Sequence, residues 1–104
     1  MCKDFLVVHN NGADSIKGKI TSVKNFERNQ ILLLNDYHPR YALYIMQSKA
    51  VIATYGGLLS HIAILCREMD IPCIKIRKRV KEGDYVKIDF IKKRFCTIND
   101  STNS

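Results

Sequence analysis

Residues 55–74 read YGGLLSHIAILCREMDIPCI, and one histidine set between a glycine pair and an amphipathic run fixes the fold around it. Upstream, Ala50-Val51-Ile52-Ala53-Thr54 is a short apolar, β-branched segment that fits a buried strand. Gly56-Gly57 then breaks the strand with freedom in φ and predicts a tight turn. Ser60 is a good helix N-cap. From there Ile62, Leu65, Cys66 and Met69 fall at i, i+3, i+4 and i+7, the period of a helix with one buried face, so His61 belongs in the first helical turn. Asp70 and Ile71-Pro72 end the helix, because the residue before a proline is pushed out of the α region. Cys73-Ile74-Lys75-Ile76 reads as the next strand, which makes the unit strand, glycine turn, helix, strand.

That unit suits phosphate chemistry on an imidazole. Backbone N–H groups at a helix N-terminus have no partner inside the helix and attract an anion, and two glycines let a phosphate-bearing partner approach the main chain closely. His61 is therefore the candidate catalytic residue, with Ser60, Gly56 and Gly57 as candidate supports for the phosphate. The competing reading of a histidine in this position is a surface or capping residue.

The run GGLLSHIAILCREMDIPCI resembles the phosphohistidine signature of the mobile, swivelling domain of phosphoenolpyruvate-utilising enzymes. That group includes phosphoenolpyruvate synthase, pyruvate phosphate dikinase, enzyme I of the sugar phosphotransferase system and rifampicin phosphotransferase. Gly56-Gly57, Ser60-His61, Ala63-Ile64, Arg67-Glu68 and Ile71-Pro72 all fall at the family's spacing. Outside them, Gly18-Lys19-Ile20 looks like the family's early strand, Ile31 to Leu34 like the strand before its short helix, and Glu82 to Asp89 like its closing hairpin. Leu59 stands where several branches carry threonine, and GGLL is closest in wording to the rifampicin phosphotransferase and phosphoenolpyruvate synthase-like branch. Ile76, Phe90, Lys93 and Asp14 replace glycines of the pattern.

The resemblance implies an α/β fold, a swivelling β/β/α sandwich whose main helix starts at the reactive histidine. It implies a phosphoryl-carrier domain of an ATP- or phosphoenolpyruvate-dependent phosphotransferase, with His61 transiently phosphorylated. The implied partners, in cis or in trans, are an ATP-grasp nucleotide-binding domain and an acceptor domain that holds phosphoenolpyruvate, pyruvate or another acceptor. ATP and Mg2+ would then sit on the partner domain, with no cofactor and no metal bound by this one. Ser60 matches the hydroxyl residue before the histidine. Arg67 and Glu68 also match, but lie nearly two turns along, where a structural ion pair or an interdomain contact is expected of them.

At 104 residues the chain holds one core and has no room for an ATP-grasp unit beside it. The expected organisation is a swivelling domain over residues 1–98 and a polar, frayed tail over residues 99–104, as a discrete subunit or as a piece of a longer polypeptide. The tail reads as a natural C-terminus, which favours an arrangement with the histidine domain last. No apolar run approaches the about 18 to 20 residues that span a bilayer, and Met1 to Val8 is too short for a signal peptide. A cytoplasmic protein with no membrane role is the expectation. The four cysteines show no Cys-x-x-Cys spacing, so reduced core thiols are expected, and a zinc set of His61, Cys66 and Cys73 matches no usual ligand spacing.

Charge supplies the alternative from another class. Seventeen Lys and Arg against ten Asp and Glu give +7, and nine of the basic side chains fall between Lys75 and Arg94. Read as one basic face, the stretch suits a small nucleic-acid-binding module. It carries no recognisable nucleic-acid motif, however, and Val80, Val86 and Ile88 look like strand positions facing a core. A second alternative is a catalytically silent relative that only docks. The whole pattern predicts six or seven short strands, the main helix, and a second helix opened by Pro39 with Tyr41, Tyr44 and Ile45 inward. His9 and His38 are expected in loops.

Overall fold

The computed structural model describes residues 2–54, 59–77 and 79–98. In chain order its elements are β1 (Cys2–Lys3), β2 (Leu6–His9), β3 (Ser15–Thr21), β4 (Ile31–Leu34), α1 (Ala42–Ile45), β5 (Ala50–Ala53), α2 (Leu59–Met69), β6 (Cys73–Lys75), β7 (Tyr85–Asp89) and β8 (Arg94–Thr97). The eight strands form one mixed sheet in the order β1-β8-β7-β3-β4-β5-β6-β2. Its centre is parallel, β3 to β4 to β5 to β6, and the flanking pairs are antiparallel.

Every residue of β4 and β5 is buried, which requires cover on both faces. Side chains alternate across a strand, so the two faces feed two cores. Ile31, Leu33, Ala50, Ile52 and Ile74 cluster with Val86, Ile88 and Phe95 of the antiparallel strands. Leu32, Leu34, Val51, Ala53 and Cys73 cluster with Ile45 of α1 and with Ile62 and Cys66 of α2. The chain is thus an α/β fold. Pro39 opens a short 3-10 turn, Pro39–Tyr41, that runs directly into α1, with Ile45 buried and Tyr41 and Tyr44 packed against the second core.

The helix after the glycine pair starts at Leu59, so Ser60 lies inside its first turn and is not its N-cap. Its end follows the expectation. Asp70 takes a left-handed φ of 57°, its N–H bonds the Arg67 carbonyl, and the Ile71 N–H bonds the Cys66 carbonyl at 2.9 Å, a Schellman closure built without glycine. The main chain is closely approached earlier, at Gly18. A Cβ there would stand 3.1 Å from Gln30 Oε1, which accepts the Lys19 N–H where β3 meets β4.

Three expectations are corrected. His9 is not in a loop; it ends β2 and donates from Nε2 to Asp70 Oδ1 at 2.8 Å, tying an edge strand to the end of α2. The cysteines are not all reduced thiols: Cys2 and Cys96, register partners on β1 and β8, form a disulfide, while Cys66 and Cys73 are buried thiols. Its hydrogen-bonding interaction with Cys66, and then burial, push the Cys73 thiol far above its ordinary value, so it stays protonated. The basic stretch is not one face either. Arg77, Arg79 and Lys81 lie past the end of β6, whereas Lys92 and Lys93 sit in the β7–β8 turn at the opposite end of the sheet, where the Phe90 N–H bonds the Asp14 carbonyl.

Two of the positions read above as replacing glycines are core positions. Ile76 is fully buried, and Phe90 is buried with its ring edge-on to Phe5 at 5.9 Å. A third, Lys93, adopts the left-handed φ of 56° that glycine takes at less cost. Residues 99–104, expected to fray, lie outside the described residues.

Two stability experiments follow from these contacts. The Cys2–Cys96 bond closes a sequence separation of 94 residues, so reduction, or Cys96→Ser, is expected to lower unfolding stability by about 2–4 kcal/mol, read from denaturant midpoints with and without reductant. Coincident midpoints would show that the bond does not form in solution. Thr21 is buried and its Oγ1 has no hydrogen-bond partner among the described residues. Thr21→Val, close in shape, should stabilise the fold by about 1 kcal/mol; a loss of that size would mean that the hydroxyl is bonded.

Candidate functional site

The parallel pairing of β4 with β5 runs to Leu34 opposite Ala53, and the Thr54 N–H still bonds the Leu34 carbonyl at 3.1 Å. The connections that leave these two strands therefore start side by side. One leads through Tyr37 and His38 to the 3-10 turn, and the other leads to α2.

His61 is the third residue of α2 and is exposed, while Ile62 beside it is buried at 3%. Its imidazole stacks on the ring of Tyr37, with centroids 5.3 Å apart and planes 17° from parallel. Tyr37 in turn meets Tyr41 edge-on at 6.3 Å, and the Tyr41 hydroxyl donates to Asp36 Oδ1 at 3.2 Å. Partial burial, and then the Asp36 carboxylate, hold the Tyr41 phenol above its ordinary value. His38 Nδ1 accepts from the Arg40 N–H and from its Nε, both at 3.3 Å, so this ring caps the 3-10 turn. The first turn of α2 holds no acidic side chain, which leaves its positive end uncompensated from within.

Ser60 is exposed next to His61. Gly56 and Gly57 lie outside the described residues. Arg67 and Glu68 are exposed further along α2, and neither takes part in an ion pair among the described residues; those pairs are His9–Asp70 and Lys19–Glu27. Arg67 does stand in the last turn, where a cation complements the helix dipole. Zinc chemistry finds no support in the placement of its candidate ligands, because His61 faces solvent while Cys66 and Cys73 are fully buried beneath the helix. Among the described residues no three His, Cys, Asp or Glu side chains converge as metal ligands, and no helix is long and apolar enough to cross a membrane.

Tyr37 is the contact that sequence reasoning missed. The available signal was topological: an aromatic residue just after one apolar strand, and a histidine just after the next, meet if those strands are parallel neighbours. Tyr37→Leu should remove the ring-current shielding that Tyr37 gives His61, moving the His61 ring-proton resonances downfield in NMR spectra. Unchanged resonances would mean that the stack is not populated in solution.

Residues 26–92 match the family model described as PEP-utilising enzyme, mobile domain. The phosphoenolpyruvate synthase of Aeropyrum pernix is 28% identical over 72 residues, covering 65% of this chain and 9% of that protein. The uncharacterized phosphotransferase YvkC of Bacillus subtilis is 31% identical over 68 residues, covering 62% and 8%. A probable phosphoenolpyruvate synthase of Pyrococcus horikoshii is 29% identical over 73 residues, covering 66% and 9%. The chain thus spans less than a tenth of the length of the curated relatives it matches, which are enzymes by name. Two solved structures share the fold: a UPF0107 protein determined by NMR, at TM-score 0.66 and 14% identity over 95% of this chain and 100% of that one, and Thermococcus kodakaraensis aconitase X in its holo-form, at TM-score 0.65 and 12% identity over 95% and 99%.

Proposed function

The chain belongs to the mobile-domain family of PEP-utilising enzymes, and on that premise we propose that it is a phosphoryl carrier whose reactive group is His61. The observation that carries this reading is the position of that ring: exposed, at the first turn of a helix, inside the matched segment. In the transfer, an unprotonated ring nitrogen supplies the electron pair for a new N–P bond. The P–O bond to the donor breaks in line with it, and its electrons leave with the donor's oxygen. The second transfer reverses these roles, with an acceptor oxygen attacking phosphorus and the ring nitrogen leaving.

The rest of the reading concerns the partners, in cis or in trans. An ATP-grasp partner holds ATP and Mg2+, and a second partner holds phosphoenolpyruvate, pyruvate or another acceptor. This domain, read as a swivelling β/β/α sandwich, moves between them. Ser60, Gly56 and Gly57 support the phosphoryl group. Ile64, 53% exposed one turn from His61, and Leu43 of α1, 61% exposed, give an apolar rim for docking, with Arg67 and Glu68 as further interdomain contacts. The domain works in the cytoplasm beside its ATP, where the thiol pool would act on the Cys2–Cys96 bond. The split of the basic residues between two ends of the sheet weighs against a continuous nucleic-acid face.

Mixed with its cognate ATP-grasp protein and labelled ATP, the chain should acquire label that is lost in acid and maps to His61. His61→Ala should remove the label and leave the unfolding midpoint within about 0.5 kcal/mol of the wild type, as for an exposed site. Label that survives acid, or that maps to Ser60 or Thr54, would refute the assignment.

A further inference from the structure

The end of the sheet that carries His61 has a second feature, a cleft of about 900 Å3 beside the C-terminal ends of β4, β5 and β6. Open α/β sheets place ligands at this end of their parallel strands. Among the described residues four cations line the cleft, Lys3, Arg77, Arg79 and Lys81, and Asn35 and Thr54 add an amide and a hydroxyl. Asn35 and Thr54 are the first residues past β4 and β5, so the cleft and the Tyr37–His61 stack are built from the same two connections. Lys3 Nζ donates to the Arg79 carbonyl at 3.0 Å, which joins two walls that are far apart in sequence. Glu82 and Asp84 stand on the remaining wall, and Glu82 Oε2 accepts from Asn25 Nδ2 at 2.9 Å, so positive charge is in excess.

The shape selects the anion. A flat acidic protein surface would meet the rim and leave the hollow unfilled. A short chain of phosphates carries several charges within a few ångströms and offers oxygens to guanidinium forks, which bind phosphate in a bidentate manner, and to the amide and hydroxyl behind them. A nucleic-acid backbone needs cations in a row, and the other basic group, at Lys92 and Lys93, lies at the far end of the sheet.

We propose that this cleft is an oligophosphate site of the domain's own, shaped for a di- or triphosphate chain, at the end of the sheet where His61 stands. The site is separate from the nucleotide that the ATP-grasp partner holds in the phosphoryl-carrier reading, and binding of the phosphate chain does not involve His61. A nucleoside triphosphate and inorganic tripolyphosphate share the required chemistry.

Isothermal titration of the full chain with inorganic tripolyphosphate and with adenylyl-imidodiphosphate tests the site. Both probes should bind saturably with one equivalent, and Arg77→Gln with Arg79→Gln should weaken them by at least about tenfold, because charge-assisted hydrogen bonds are lost. Lys92→Gln with Lys93→Gln, and separately His61→Ala, should change affinity by less than about twofold, as expected of side chains outside the cleft. Equal affinity for the two probes supports a site for the phosphate chain alone, and tighter binding of the analogue supports a nucleotide. If the arginine variant fails to fold, amide-shift mapping on the wild type decides: shifts at Asn35, Thr54, Arg77 and Arg79 support the site, and shifts centred elsewhere overturn it. No saturable binding at millimolar probe, equal weakening in the Lys92 and Lys93 variant, or tighter binding of single-stranded DNA or RNA through the same arginines would each overturn it. Intact binding without label on His61 would overturn the carrier reading and leave the cleft assignment standing.

Discussion

The register of β4 against β5 is the constraint on which the candidate site depends. Both strands are four residues long and buried throughout, so a slip by one residue would turn Leu32, Leu34, Val51 and Ala53 from the helical core into the other one. With the register fixed at Leu34 opposite Ala53, the two connections leave from one place, and Tyr37 and His61 meet although 24 positions separate them in sequence. The parallel arrangement matters as much as the register. An antiparallel pair would have sent one of these connections to the far end of the sheet, and the imidazole would have no aromatic neighbour from β4.

Helix α2 divides its duties by face and by end. Ile62 and Cys66 anchor it on the sheet, and the Schellman closure at Asp70, held by His9 from the neighbouring edge strand, fixes its C-terminal end. Stability is therefore supplied away from the candidate reactive group. His61 contributes an exposed ring at the opposite end of the helix, which is why its replacement should cost the fold little. The buried Cys66 and Cys73 belong to the anchoring side: both pack as core groups, and the Cys73 thiol is held protonated.

Much of this was legible in the chain. The strand at Ala50–Ala53, the helix with Ile62 and Cys66 inward, its end at Asp70 and the proline-opened second helix all follow from local rules: period, capping and the restriction before proline. What escaped has a common cause. Strand β1 is two residues long, too short for any period to show, so its disulfide partner Cys96 could not be recognised. The His9–Asp70 bond and the Tyr37–His61 stack join residues 61 and 24 positions apart, and only the order of strands brings them together. The start of α2 was missed by one residue because Ser60 is an equally acceptable cap or first-turn residue, and helix ends are the least determined part of such a reading.

The basic residues show why sequence proximity misleads. Lys75 to Arg94 looks like a single charged segment, but β7 runs antiparallel to β3 and carries the chain from one end of the sheet to the other, so the segment is sorted into two separate groups. The group at the His61 end is completed by Lys3, which comes from the opposite terminus. Lys3 reaches Arg79 because β1 pairs with β8, and β1 keeps that pairing through two residues and the Cys2–Cys96 bond. A strand so short has little cooperativity of its own, so the bond that secures an edge of the sheet also secures one cation of the cleft. The charge of the cleft is in this way a property of the closed fold, and no single segment of the sequence contains it.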